Sequence, residues 1–574
     1  MTGHAQTLRP FLSRAVGLYP DRKIVARTGE GVVRYTYNRY VDRVGRLANA
    51  LRATGVDRGD RVGTLCWNHD RHFEAYFAAP ELGAQLHTIN PLLPAEDIRR
   101  IVASAADRVL LVDASLAGAF AEAYDPEAFA SVERVVVVGA DTPDLPVEPT
   151  AYDEFVAGHG TDVDAPELDG DDPAGLCYSS GTTGDPKGVE YTHRMLWGHT
   201  MAILTPSGLD IADHDVVMPV VPMFHINAWG LPYAATAAGA GHVYPGPSPD
   251  PQDVVDLIDR ENVTLTAGVP TVWLGVLDHL ADHPDPEGAL STLDRIVVGG
   301  SAPPERLLRA FDDYGVEVLH GWGMTETSPV GAVSHLKPGL CDADYDRRVE
   351  KRAKQGLVLP GLEFKAVDDS GEAIPHDGES MGELLIRGPW VATKYFDSER
   401  RRPSGSEASE TPRATGEAGD SRTQSDDAFD GSWLRTGDVV TVDPDGYIEL
   451  VDRAADVINS GGEWISSQAV ENAIMGHGSV REAAVVGVPH ERWGERPVAF
   501  VAADGDDENR GGLVDALRGR VRTGYPDWWV PDRFEFVESV PKTATGKFDK
   551  IDLRGRFEGS LDGTVDATPP EGAE

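Results

Sequence analysis

Residues 178–189 read Tyr178-Ser179-Ser180-Gly181-Thr182-Thr183-Gly184-Asp185-Pro186-Lys187-Gly188-Val189. Three glycines let the backbone curl and bring its N–H groups close to an anion. The hydroxyls add donors, and Lys187 adds a positive charge. This is not the phosphate loop of ordinary NTPases, which places Ser or Thr directly after Gly-Lys. Here Lys187-Gly188 is followed by Val189.

The lysine stands out against its background. The chain has 574 residues and a formal charge of −42, and only ten of its 52 basic residues are lysine. That charge repels nucleic acid and anionic lipid alike. A surface so rich in Asp and Glu suits a cytosol of molar salt, where the Debye length falls to about 3 Å. A halophilic host is therefore expected. Cys66, Cys177 and Cys341 are widely spaced and odd in number, which argues for reduced thiols rather than disulfides or a zinc site. No run of about 18 apolar residues occurs, and Met1–Pro20 lacks the pattern of a secretory signal. A cytoplasmic protein without a membrane span is the expectation.

The length calls for more than one folding unit. Upstream and downstream of residues 178–189, apolar runs alternate with amphipathic segments. Val41–Ala53 has helical spacing. Arg61–Cys66, Val109–Val112, Val135–Gly139, Val263–Ala267 and Arg295–Gly300 read as strands. Strands separated by helices predict an α/β architecture with largely parallel sheets. After Gly361 the texture shifts to short strands with Asp377-Gly378 and Pro444-Asp445-Gly446 turns, which predicts β-rich structure. Residues 398–430 and 557–574 are poor in apolar residues and read as a disordered insertion and tail. A last unit from about residue 454 holds two strand-like runs, at Ala483–Val488 and Val498–Ala502, and a helix over Gly511–Arg522. It has the size of a small α+β domain.

Three further strings carry chemistry. In Gly321-Trp322-Gly323-Met324-Thr325-Glu326-Thr327, glycines flank an aromatic suited to stacking on a base, and Thr-Glu supplies oxygen ligands. Mg²⁺ takes one carboxylate plus phosphate oxygens in preference to an all-protein cage. In Trp433-Leu434-Arg435-Thr436-Gly437-Asp438, a carboxylate able to accept hydrogen bonds from two donors is followed by Asp452-Arg453. In Pro541-Lys542-Thr543-Ala544-Thr545-Gly546-Lys547, a lysine after glycine can reach into a site formed elsewhere and neutralise charge there.

Together these strings resemble the adenylate-forming superfamily: acyl-CoA synthetases, peptide-synthetase adenylation domains and firefly luciferase. The closest resemblance is to medium- and long-chain fatty-acyl-CoA synthetases, over about residues 10–555. It implies a large adenylate-forming domain, 1–453, made of two α/β subdomains and a β-rich one. A small mobile α+β domain, 454–556, would follow. It implies ATP, Mg²⁺ and coenzyme A as cofactor and co-substrates, a small carboxylic acid as substrate, and a homodimer. By resemblance, Ser179, Ser180, Gly181, Thr182, Thr183, Gly184 and Lys187 hold phosphates. Gly300, Ser301, His320, Gly321, Trp322, Gly323 and Thr325 border adenine and the α-phosphate. Asp438 takes the ribose, and Arg453 reaches the ribose or the phosphate. Thr182 and Glu326 bind Mg²⁺, and Lys547 is the catalytic lysine of adenylation; Lys187, Thr182 and Glu326 share the catalytic role.

The acid side is implied by Val221-Pro222-Met223-Phe224-His225-Ile226-Asn227-Ala228-Trp229 and by Val298-Gly299-Gly300. A lone histidine in an apolar run is usually a core residue. The resemblance assigns His225, Trp229 and Gly299 to the acid pocket, with Trp229 as a gate. Gly461, Gly462, Glu463 and Trp464, just past a hinge at Arg453–Asp456, border the coenzyme A tunnel. Two positions depart from the pattern: Ala455 stands where Asp or Lys is common, and Asn459 where fatty-acyl relatives carry lysine. An aryl, branched or short-chain acid remains an alternative substrate, and an inactive nucleotide-binding or scaffold protein an alternative role.

Overall fold

The computed structural model describes residues 5–29, 31–139, 143–179, 186–368, 370–396, 428–454, 456–461, 463–490, 492–503, 510–542 and 548–556. Most of the expected insertion and the whole expected tail lie outside these residues. Phe429–Asp430, assigned from composition to the insertion, instead form a short strand paired with Trp433–Val442. The reason is Phe429, whose ring packs against Tyr395 at 5.4 Å between centroids.

Two sheets build the first α/β body. A seven-stranded sheet runs in the order Thr150–Ala151, Arg134–Val138, Val109–Asp113, Arg61–Leu65, Gln85–Thr88, Pro173–Ser179, Lys187–Thr192. Its strands are parallel except for the last pair. A nine-stranded sheet has Glu317–Gly323, Arg295–Val298, Leu265–Gly268, Val216–Pro219, Gly241–Tyr244 and Lys23–Thr28 in parallel. Antiparallel strands flank it at both edges.

The period-two alternation of strand side chains explains how both faces are buried. Val109 and Leu111 enter the core shared by the two sheets, which also takes Val297, Leu319 and the helices Tyr37–Ala53 and Asp70–Glu81. Their neighbours Leu110 and Val112 enter a separate core with Ile98, Ile101 and Phe120. Ile296 and Val298 face a third core around Trp273 and Phe311. These runs are apolar on consecutive residues because each face has a partner.

After Leu357 the chain forms an antiparallel sheet of Glu363–Val367, Met381–Arg387, Trp433–Val442, Phe429–Asp430 and Ile448–Arg453. The last unit has its own core, centred on Val470, Ile474, Val485, Val501 and Leu517. Within it Arg496 is fully buried and paired with Asp532, at 2.7 Å, and donates to the Trp528 carbonyl and to Ser460. The strand and helix expectations land within a few residues of the observed elements. The long helix, for example, spans Arg510–Gly524 rather than Gly511–Arg522.

Among the described residues, five buried histidines make stability sensitive to acid, opposed in part by the buried Glu74 and Glu471, which burial pushes up to about 7. Burial drives His72, His199 and His242 down to about 3, and His193 and His320 to about 4. In the unfolded chain a histidine titrates near 6.5. The unfolded state therefore takes up protons first, and the stability these histidines contribute is complete above about pH 6.5 and is lost progressively as pH falls to about 3. His242 bonds the hydroxyls of Tyr37 and Tyr244 through its two ring nitrogens. Denaturant titrations between pH 5 and 7.5 should show stability falling with acid. His242→Gln should reduce the proton uptake on unfolding by about one.

Candidate active site

One length of chain organises the site. The strand Glu317–Gly323 runs into a short 3₁₀ turn, Thr325–Thr327, at the carboxyl end of the nine-stranded sheet. Ligands of open α/β sheets sit at such ends. From this segment three neighbouring contacts open toward three motifs that are far apart in sequence.

At Gly321 the segment meets the acid-side residues. A side chain on Gly299 would put its Cβ 2.9 Å from the Gly321 carbonyl oxygen and 3.1 Å from Trp229 Cη2, so only glycine lets the indole lie here. Trp229 is buried, and it ends a run in which Ile226, Asn227, Ala228 and Trp229 all adopt positive φ, from 48° to 56°. Left-handed backbone costs a non-glycine residue about 1–2 kcal/mol. Strain of this kind persists only where surrounding structure over-determines it. Met223 N donates to Asn68 Oδ1 at 2.7 Å, and Asn68 Nδ2 donates to the Pro219 and Val221 carbonyls, fixing the approach to the run. His225 lies at the head of this run, half-buried.

At Trp322 the segment meets the third sheet. Trp322 Nε1 donates to Asp438 Oδ2 at 2.9 Å, across 116 positions of sequence. Asp438 is fully buried, and Arg453 Nε lies 2.8 Å from its Oδ1. That approach is an ion contact without hydrogen-bond alignment, so Oδ1 is a buried oxygen with no aligned donor. The charge of Asp438 is met by Arg453, and Oδ1 can still accept an aligned donor such as a ribose hydroxyl. Gly323 approaches Pro329 so closely that a Cβ would lie 1.9 Å from its carbonyl oxygen.

At Glu326 the segment meets the strand residues that flank the glycine-rich string. Glu326 is buried, and its Oε1 accepts from the Tyr395 hydroxyl at 2.9 Å. The Lys187 ammonium sits 5.0 Å above the centre of the Tyr395 ring. Tyr191 Oη, in the strand that begins at Lys187, donates to the Thr325 carbonyl at 2.8 Å. Ser179 and Lys187 face each other across the antiparallel pair, with Ser179 Oγ donating to the Lys187 carbonyl at 3.3 Å.

The donor set fits Mg²⁺. Among the described residues no group of three or more His, Cys, Asp or Glu could hold a metal by itself. A single hard carboxylate, Glu326, suits an ion that takes its other ligands from phosphate and water.

The structure thus brings Ser179, Lys187, Trp229, Gly299, Gly321, Trp322, Gly323, Thr325, Glu326, Asp438 and Arg453 around one segment. Gly300 follows Gly299 in an exposed, positive-φ position with Ser301 beside it. His320 is buried, with Nδ1 engaged by the Ala353 carbonyl at 2.8 Å, so its ring serves packing on this strand. Gly461 and Trp464 belong to the last unit, where Gly461 N donates to the Trp493 carbonyl at 2.7 Å and Trp464 pairs with Asn459. Ser180, Gly181, Thr182, Thr183, Gly184, Gly462, Lys547 and the Glu463 side chain lie outside the described residues, as does Ala455. Sequence reading missed Tyr395, Tyr191 and Asn68. Tyr395 follows Trp390 and Val391 in a short irregular segment with no periodic signal, and only its contacts reveal it.

A family model described as AMP-binding enzyme matches residues 12–396, and one described as AMP-binding enzyme C-terminal domain matches residues 469–547. The chain is 42% identical over 549 residues to a long-chain-fatty-acid–CoA ligase of Thermus thermophilus, covering 96% of this chain and 95% of the relative. It is 38% identical over 559 residues to a 3-methylmercaptopropionyl-CoA ligase of Ruegeria lacuscaerulensis, covering 96% and 97%. It is 36% identical over 554 residues to a medium-chain-fatty-acid–CoA ligase of Ectopseudomonas oleovorans, covering 95% of each. A solved anthranilate CoA ligase in complex with anthranoyl-AMP superimposes with a TM-score of 0.81 at 25% identity, over 96% of this chain and 97% of that one. With Trp229, Asp438 and Glu326 brought to one strand and turn, and family models matched at residues 12–396 and 469–547, the chain belongs to the AMP-binding enzyme family.

Proposed function

We propose that this enzyme is an AMP-forming acyl-CoA synthetase whose acid is a medium- or long-chain fatty acid. The observation that carries the reading is the strand-and-turn segment 317–327, which touches acid-side, ribose-side and phosphate-side residues in sequence order. A nucleotide laid along it would have its sugar at Asp438 and its phosphates at Lys187 and Glu326. An acid admitted past Trp229 would meet the α-phosphate between them.

The chemistry follows from that order. The carboxylate oxygen attacks the α-phosphorus, and the bond to the bridging oxygen breaks with pyrophosphate as leaving group. The thiol of coenzyme A then attacks the acyl carbonyl, and AMP leaves. Mg²⁺ held at Glu326, with Thr182 as a second ligand, would offset phosphate charge. Trp322 and Arg453 orient Asp438, and Asp438 anchors the ribose. Lys187 adds positive charge over the β- and γ-phosphates, and we assign Lys547 the same service at the α-phosphate during adenylation. The hinge at Arg453–Asp456 then carries the small domain, 454–556, to its thioester-forming position, with Gly461, Gly462, Glu463 and Trp464 along the thiol's path. Among the described residues no helix is long and apolar enough to cross a membrane. We further propose a cytoplasmic homodimer from a halophilic host, with activity rising toward molar KCl.

Three measurements test this reading. A panel of acids from C2 to C18, with aryl acids, assayed for pyrophosphate release with ATP, Mg²⁺, coenzyme A and high KCl, should peak at medium or long chains; a peak at aryl or short acids moves the substrate class without moving the chemistry. Lys547→Ala should abolish acyl-adenylate formation yet leave thioester formation from supplied acyl-adenylate largely intact, and equal loss of both would reject the rotating-domain assignment. Asp438→Asn should raise the KM for ATP about tenfold, the scale of one lost bond to a charged group, with the KM for the acid little changed.

A further inference from the structure

The segment Trp390–Phe396 crosses from the nine-stranded sheet to the phosphate string and is tied to motif residues at both ends. Ser328 Oγ donates to the Trp390 carbonyl at 2.6 Å, and Ala392 N donates to the Glu326 carbonyl at 2.8 Å. At the far end Phe396 N donates to the Gly188 carbonyl at 2.8 Å. The approach there is close enough that a Cβ on Gly188 would lie 2.9 Å from that of Phe396. Between these ties stands Tyr395, with its hydroxyl on Glu326 Oε1, its ring beneath the Lys187 ammonium, and Phe429 packed against it.

Resting on the reading of Glu326 and Lys187 given above, we infer that Tyr395 is a positioning residue for metal-bound nucleotide. Its hydroxyl sets the direction of the Glu326 carboxylate and its ring sets the height of the Lys187 ammonium, so that one side chain aligns the metal ligand with the phosphate ligand. The phenol is the donor in this bond and the Glu326 carboxylate the acceptor. With Oε1 engaged, the carboxylate cannot turn freely about its last bond. The ring offers a cation a favourable resting place on its face when no phosphate is near. Lys187 is thereby held close to the site in an acid-rich protein whose surface carboxylates would otherwise attract it.

The test separates the two parts of the side chain by titrating ATP calorimetrically into the full-length protein, once with Mg²⁺ and once with EDTA. Tyr395→Phe keeps the ring and loses the hydroxyl. It should weaken binding of Mg·ATP about tenfold, the scale of one bond to a charged group, and leave binding in EDTA unchanged. Tyr395→Leu loses both parts, and should weaken binding in EDTA as well, by roughly threefold. A Tyr395→Phe protein that binds Mg·ATP as the wild type does, or that weakens equally with and without Mg²⁺, overturns the inference. Glu326→Gln serves as the reference. If it keeps the full Mg²⁺ advantage, the metal assignment falls and this inference falls with it. If it loses that advantage while Tyr395→Phe keeps it, the inference alone falls.

Discussion

The backbone of Glu317–Gly323 and the turn after it is the constraint from which the site takes its shape. It is the last parallel strand of one sheet, bounded by an antiparallel neighbour, Val330–Val333. Its carboxyl end must therefore leave the sheet where three other structures press against it. The glycines at 299 and 323 are there because neighbouring atoms leave no room: the Gly321 carbonyl and the Trp229 indole against one, the Pro329 carbonyl against the other. Trp322 is directed to Asp438, and Glu326 follows one turn later. Spacing along a single segment thus becomes spacing between the candidate site residues, which is how a site gains precision from secondary structure rather than from loops.

Buried carboxylates in a chain of charge −42 need local compensation. Desolvation disfavours a buried charge unless donors or cations meet it. Asp438 has the indole N–H of Trp322 and the guanidinium of Arg453. Glu326 has the phenol of Tyr395, with the Lys187 ammonium on that ring's face. Other lysines also sit in specific pairs. Lys351 is buried against Asp443, and Lys354 reaches the same carboxylate and Glu449, the latter at 2.9 Å. Lys550 pairs with the buried Glu471 at 2.8 Å, and burial pushes that glutamate up to about 7. In an acidic protein that binds anionic substrates, positive charge is most useful where a specific partner waits for it.

The two units of the chain are joined next to Arg453 and its partner Asp438. Asp452 immediately precedes Arg453, and its Oδ2 accepts from Ser467 N at 2.7 Å, at the start of the helix Ser467–Met475. Ser466 Oγ donates to the Val451 carbonyl across the same junction. An acceptor at a helix N-terminus satisfies donors the helix cannot satisfy itself. Ala454 N donates to the Gly437 carbonyl at 2.9 Å, which ties the start of the second unit to the residue beside Asp438. Arg453 and Gly437, beside Asp438, are therefore direct neighbours of the residues that seat the second unit.

Much of the fold could be read in order along the chain, because buried parallel strands demand long apolar runs and surface helices demand periodic ones. Val109–Val112 and Arg295–Gly300 announce themselves in this way. The glycine-rich and acid-bearing strings stood out as candidates, since only a few residue types can approach an anion or accept from a sugar. The sequence also carried the change of texture after Gly361. It could not carry the meeting of Trp322 with Asp438, the left-handed run that presents Trp229 to Gly299, or the placing of Tyr395 between Lys187 and Glu326. Phe429 was misread for the same reason: its strand exists because a partner strand and an aromatic ring are waiting for it. Local pattern records what each segment must bury. Which distant segment buries it is decided by tertiary packing, where residues such as Trp322 and Asp438, 116 positions apart, become neighbours only after the sheets have closed.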